Sequence, residues 1–138
     1  MERPAQASVR GLIEHEGRVL LVAKRTSDGD DVWTVPGGRA RIGEDPRDAV
    51  VREMREETSL EVTVGAPLGV FSFTWEDGAK GVVATVFDCE WVDGTVDITN
   101  NPEDEPIVGF DWVTPDRLST LSMLPEVRRI VVEHGTGR

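Results

Sequence analysis

The chain has 138 residues, 38% of them apolar and 30% charged, with 15 cationic against 26 acidic side chains and a net charge of −11. That length supports one domain with its own core, expected to span residues 1–138, and the charge leaves no basic stripe with which to displace the counterions of a nucleic acid. No stretch approaches the roughly 18 apolar residues that cross a bilayer, and MERPAQASVRG lacks an apolar run of signal-peptide length, so a cytoplasmic protein without membrane contact is expected. Cys89 is the lone cysteine and cannot form an internal disulfide. Lys24 and Lys80 are the only lysines. Two readings of this acidic, lysine-poor composition stay open: adaptation to high salt, where self-repulsion is screened, or an ordinary acidic protein from a genome that favours arginine codons.

In chain order, ASVRGLI (7–13) and RVLLVAK (18–24) read as two strands joined through a turn, with His15 in the turn and exposed. TSDGDD is a loop by composition. In WTVPGGR, Trp33 and Val35 alternate as strand residues, Pro36 stops the ladder, and Gly37 and Gly38 permit backbone conformations closed to other residues. Asp45, Pro46 and Asp48 make a helix start, and the helix is expected from about Pro46 to about Thr58. LEVTVGAPLGVFSFTWE and KGVVATVFDCEWV read as strands of a hairpin signalled by Asp77-Gly78. The second of these is apolar on both faces and is expected to be covered on both, with Cys89 a small core residue. A polar loop follows, then the strand IVGFDWV, a capped helical turn at TPDRL, and a last helix from Pro125 to Gly135 whose Val127, Ile130 and Val131 face the core.

The stretch Gly37 to Leu60, GGRARIGEDPRDAVVREMREETSL, carries the chemistry. Residues three and four apart share a helix face, so Glu53, Glu56 and Glu57 project together while Val50, Val51 and Met54 turn to a core. Carboxylates so crowded repel unless something positive joins them. Hard oxygen donors suit Mg²⁺ or Mn²⁺, whereas zinc would ask for His or Cys, and His15, His134 and Cys89 are all distant in sequence. A solvated glutamate-rich helix laced by pairs such as Arg52 with Glu56 is the alternative.

The stretch resembles the Nudix box, in which Gly, five residues, Glu, seven residues, Arg-Glu, an aliphatic, any residue, Glu-Glu, any residue, Gly and an aliphatic follow one another; Gly38, Glu44, Arg52, Glu53, Met54, Glu56, Glu57 and Leu60 stand at the matching places. Ser59 departs from the family's glycine, so Thr58 or Ser59 is expected to end the helix by local side-chain bonding. The resemblance implies an α/β/α sandwich with a mixed sheet, and hydrolysis of a diphosphate linked to another moiety, usually a nucleoside. It further implies that Glu53, Glu56 and Glu57 hold Mg²⁺ or Mn²⁺, that Glu53 or Glu56 also takes a proton from water, that Arg52 orients a glutamate, and that Glu44 pairs with the box helix or assists a metal. In the family a downstream acidic loop often approaches the metals. PEDEP offers Glu103, Asp104 and Glu105, with Glu105 the candidate base and a solvated loop the alternative.

Gly37, Gly38 and Phe73 are the candidate nucleotide-binding positions. Phe71, Phe73 and Trp75 alternate along one strand face, where stacking on a nucleobase competes with a core-facing stripe. ADP-ribose hydrolases of the family carry a proline well downstream of the box, and Pro67 is too close to match it. The preferred substrate is a nucleoside triphosphate, as in MutT-like members, with an ADP-ribose or nucleotide-sugar pyrophosphatase and a non-hydrolytic nucleotide-binding regulator as alternatives. Homodimer formation is left open.

Overall fold

A computed structural model describes residues 3–26, 28–75, 78, 80–101 and 107–135, with the backbone alone at Trp75. The elements are β1 (Gln6–His15), β2 (Arg18–Arg25), β3 (Asp31–Thr34), β4 (Gly37–Arg39), α1 (Pro46–Thr58), β5 (Glu61–Trp75), β6 (Lys80–Asp93), β7 (Ile107–Val113), a 3₁₀ turn (Pro115–Thr120) and α2 (Pro125–His134).

The strands form a seven-stranded mixed sheet among the described residues. β1 and β2 pair only beside their turn, at Glu14 with Val19 and His15 with Arg18, and then splay apart. The wedge between them is filled by the next two strands: β3 pairs with β2, and β4 pairs with β1. β1 runs parallel to β6 on its other edge, β5 returns antiparallel along β6, and β7 lies antiparallel to β2. The β5–β6 register shifts around Pro67, where a residue without an N–H cannot feed the ladder.

Alternation along the strands sorts the apolar residues onto two faces. Leu12, Leu21, Phe71 and Val86 meet Val127, Ile130 and Val131 of α2 and Leu118 of the 3₁₀ turn. Val9, Ile13, Leu20 and Phe87 meet Ala49, Val50 and Met54 of α1. Helices on both faces of a mixed sheet make the expected α/β/α sandwich. No helix among the described residues is long and apolar enough to cross a membrane.

α1 has the bounds expected from its sequence. Asp45 Oδ1 accepts from the Arg47 N–H at 2.8 Å, and Pro46 occupies the first turn, where its missing N–H is not needed. At the other end, the Thr58 hydroxyl donates to Met54 O at 2.6 Å and accepts from the Leu60 N–H at 3.3 Å. Ser59 takes the left-handed conformation (φ 66°) that a glycine would reach with less strain. Its hydroxyl donates to Asp97 O at 3.0 Å, so the departure from the box pattern ties the loop after β6 to the end of the helix.

Three expectations are corrected. β6 is covered on both faces only in its middle, where Val86, Phe87 and Cys89 are buried; Val83 before them is 43% exposed and Val92 after them 63%. A 13-residue helix is about 20 Å long and a 14-residue strand about 45 Å, so β6 runs out from under α1. His15 is exposed as expected but closes β1 instead of lying in the turn, and its ring meets Trp91 edge-on at 5.1 Å and lies 5.9 Å from Trp112. The TPDRL turn is a 3₁₀ turn in which Thr114 makes no side-chain cap to the backbone. The hairpin expected at Asp77-Gly78 lies partly outside the described residues, although the strands that it would join do pair.

Candidate functional site

α1 carries three of the four box glutamates, Glu53, Glu56 and Glu57, on the side that faces the β3–β4 turn. Glu53 and Glu57 are each 1% exposed and Glu56 is 23% exposed. Burial of two carboxylates on adjacent turns requires compensation, and it comes from three directions. The Gly37 N–H donates to Glu57 Oε1 at 3.0 Å. Lys24 Nζ, on β2, lies 3.6 Å from Glu57 Oε2. Arg52, one residue before Glu53, is the third.

The Arg52 guanidinium is the hub. Its Nε and Nη2 donate to the two oxygens of Glu44, both at 2.8 Å, its Nη1 donates to Glu53 Oε1 at 2.9 Å and Glu56 Oε2 at 3.0 Å, and Nη2 also donates to Arg39 O at 3.1 Å. A planar fork can serve carboxylates on several sides in this way, which a lysine could not. Glu44 accepts further from the Arg41 N–H at 2.9 Å. The hydrogen bonds from Arg52 and then from the Arg41 backbone hold the Glu44 carboxyl down at about 2, against the opposing effect of burial. The same contact with Glu44, first among its partners, raises Arg52 above its ordinary value.

The two glycines have different reasons. Gly37 has φ 153° and its missing side chain would collide with the Val9 carbonyl. Gly38 leaves the space that Glu53 fills, since a Cβ there would meet the Glu53 carboxylate. Any larger residue at 38 would push that carboxylate off its position.

Among the described residues, no three His, Cys, Asp or Glu side chains converge as a ready-made cation cage. The donor set nonetheless fits a hard divalent cation. It is all oxygen, two of its carboxylates are already directed at one positive nitrogen, and Gly38 keeps side-chain bulk away from Glu53.

Glu53, Glu56, Glu57, Arg52, Gly37 and Gly38 are thus brought together. Phe73 is not brought to the carboxylates: it packs with Phe71, ring centroids 5.9 Å apart, on the face that carries α2. Phe71 is buried, as a core-facing stripe requires, and Phe73 only half-buried. The Trp75 side chain and Glu103, Asp104 and Glu105 lie outside the described residues. Sequence reasoning passed over two cations. Arg10 is buried on β1, and Lys24 stands beside Glu57. The signal for the first was an arginine inside the apolar run SVRGLI, and for the second one of two lysines in the chain, at the end of RVLLVAK.

Residues 2–134 match the family model described as NUDIX domain. A MutT-like protein of Streptomyces ambofaciens is 35% identical over 112 residues, covering 81% of this chain and 66% of that protein. An ADP-ribose pyrophosphatase of Methanocaldococcus jannaschii is 36% identical over 91 residues, covering 66% of this chain and 53% of that one. The chain therefore spans about half to two thirds of the length of these relatives. Among solved structures, the MutT protein from Methanosarcina mazei Go1 superposes with a TM-score of 0.77 at 29% identity, over 96% of this chain and 94% of that one. With the family match running from end to end of the sheet and the box residues gathered on α1, the chain belongs to the Nudix family.

Proposed function

We propose that the chain is a Mg²⁺- or Mn²⁺-dependent hydrolase that cleaves a diphosphate linkage in a nucleoside diphosphate derivative, with nucleoside triphosphates as its substrates. The observation that carries this reading is the burial of Glu53 and Glu57 beside Glu56 on one side of α1, an arrangement that favours bound positive charge. A divalent cation held by Glu53, Glu56 and Glu57 would neutralise adjacent phosphates and lower the pKa of an attacking water.

The chain's own residues divide the remaining work. Arg52 engages one oxygen each of Glu53 and Glu56 and so fixes the carboxylates rather than the substrate. Glu56, the most exposed of the three, would accept a proton from water. Glu53 is the second candidate, and Glu105 a third from outside the box. Gly37 and Gly38 keep the turn free of side chains where phosphates would approach. The position of Pro67 supports a triphosphate over ADP-ribose, while the relative named ADP-ribose pyrophosphatase makes ADP-ribose the comparison that matters.

Product analysis over nucleoside triphosphates, ADP-ribose and nucleotide sugars tests the reading. Turnover is expected with Mg²⁺ or Mn²⁺, with loss in excess chelator and recovery when metal is returned. Full activity in chelator, or binding without turnover across the panel, would reject a metal-dependent hydrolase. Preference for ADP-ribose would correct the substrate alone.

A further inference from the structure

Arg10 is 6% exposed, on the face of the sheet opposite α1, and has no part in the chemistry above. Its Nη1 donates to Val35 O at 2.9 Å and to the Thr34 hydroxyl at 3.3 Å. Its guanidinium carbon lies 5.9 Å from the ring centroids of both Phe71 and Phe73. Such a cation can donate in its plane while its faces rest on aromatic rings.

The segment it grips is the one where the backbone changes partner. Thr34 still pairs with β2 and Gly37 already pairs with β1, directly opposite Arg10. Val35 O falls between these ladders and takes its donor from Arg10. The next residue of β1, Gly11, donates its N–H to Pro36 O at 2.9 Å. A Cβ on Gly37 would stand 2.8 Å from Arg10 Cγ, so the side chain also lies against the glycine. On its far side the same turn gives the Gly37 N–H to Glu57 and makes room at Gly38 for Glu53.

We propose that Arg10 is a positioning residue: from the α2 face it fixes the Thr34–Gly38 turn, and through that turn sets where the carboxylates of Glu57 and Glu53 stand. The inference rests on the proposed role of those glutamates. In this role Arg10 acts through the turn and needs no contact with substrate or cation.

The test uses the full chain with Arg10→Lys and Arg10→Met. Mn²⁺ binding is measured by electron paramagnetic resonance without nucleotide, Gly37 amide exchange by NMR without metal, and Tm, kcat and KM are recorded beside them. Arg10→Lys keeps a charge and one reach to Val35 O but loses the planar fork. It is expected to bind Mn²⁺ about 10-fold more weakly, the scale on which residues behind a metal's ligands act. Faster Gly37 exchange and a lower kcat at nearly unchanged KM should accompany this. If Arg10→Met fails to fold, Arg10→Lys decides. A lower Tm with unchanged Mn²⁺ affinity and unchanged Gly37 exchange would mean that Arg10 only fills the core, and would overturn the proposal. If the unsubstituted protein itself binds no Mn²⁺, the reading of the glutamates fails; faster Gly37 exchange in Arg10→Lys would then still support the grip on the turn, and an unchanged rate would overturn it.

Discussion

Replacing Glu56 by glutamine is expected to lower kcat by about 10²–10⁴-fold, the range over which positioned proton-transfer groups act, while leaving Tm close to its original value. The reason for choosing this residue is its exposure. Glu56 is 23% exposed and only its Oε2 is within hydrogen-bond distance of Arg52; its Oε1 lies 3.5 Å from Arg41 in a looser, solvated pair. The amide of Glu56→Gln retains an oxygen for the Arg52 bond and keeps the volume, so what it removes is charge. Glu57→Gln would be a less clean experiment. That amide could still accept from the Gly37 N–H, but it would leave Lys24, itself 15% exposed, facing a neutral group, so fold and site would change together. The measurement is turnover across a Mg²⁺ titration beside a thermal melt. Near-original turnover of Glu56→Gln at low Mg²⁺ would remove Glu56 from the site.

The largest effect on stability is expected at Arg52. Its guanidinium joins Glu44, Glu53 and Glu56, and Arg52→Met leaves three carboxylates facing one another with Glu53 buried. Removing one partner of a buried pair costs about 3–5 kcal/mol, and because Arg52 and Glu44 are 15% and 16% exposed the lower end applies, about 3 kcal/mol. The loss should depend on pH with a definite sign. Glu44 is held at about 2 in the fold, below the ordinary 4.5, so its pairing stabilises the protein above pH 4.5 and the benefit fades as pH falls from there towards 2. In Arg52→Met the larger part of that benefit, owed to Arg52, is absent at every pH, and only the share owed to Arg41 remains. Protonation also relieves the repulsion among the stranded carboxylates. The gap between the two proteins should therefore be widest near neutrality and narrow below pH 4.5, read from urea unfolding midpoints. An equal gap at neutral and strongly acid pH would show that Arg52 stabilises the fold by packing of its stem and not by charge.

The bounds of α1 were readable because every signal for them is local: an acceptor at Asp45, a proline at 46, and a hydroxyl at Thr58 that bonds back one turn. The spacing of Arg52, Glu53, Glu56 and Glu57 put these residues on one side of a helix for the same reason, and family resemblance extended that to an α/β/α sandwich. What opposes the glutamates depends on contacts between distant segments. Nothing in RVLLVAK says that Lys24 will stand beside Glu57, because this follows from β1 and β2 splaying so that β3 and β4 enter between them. Nor does the arginine inside SVRGLI announce what it will grip, for the same reason. The cover on β6 was misjudged because alternation shows which residues are apolar but not how far the helix above them reaches.

The buried position of Cys89 gives the protein a single chemical clock. Burial, with the charge of Asp88 adding to it, pushes the thiol up to about 12, so almost no thiolate forms near neutrality and the folded state resists alkylation. Cys89 lies on β6 between β1 and β5, opposite Ile13 in the last pair of the β1–β6 ladder and opposite Val64 of β5. A maleimide should therefore react only when those strands separate. With one thiol in the chain, the labelling rate reads how often the sheet opens without any added probe, and a nucleotide or cation that binds the closed form should slow it in proportion to occupancy.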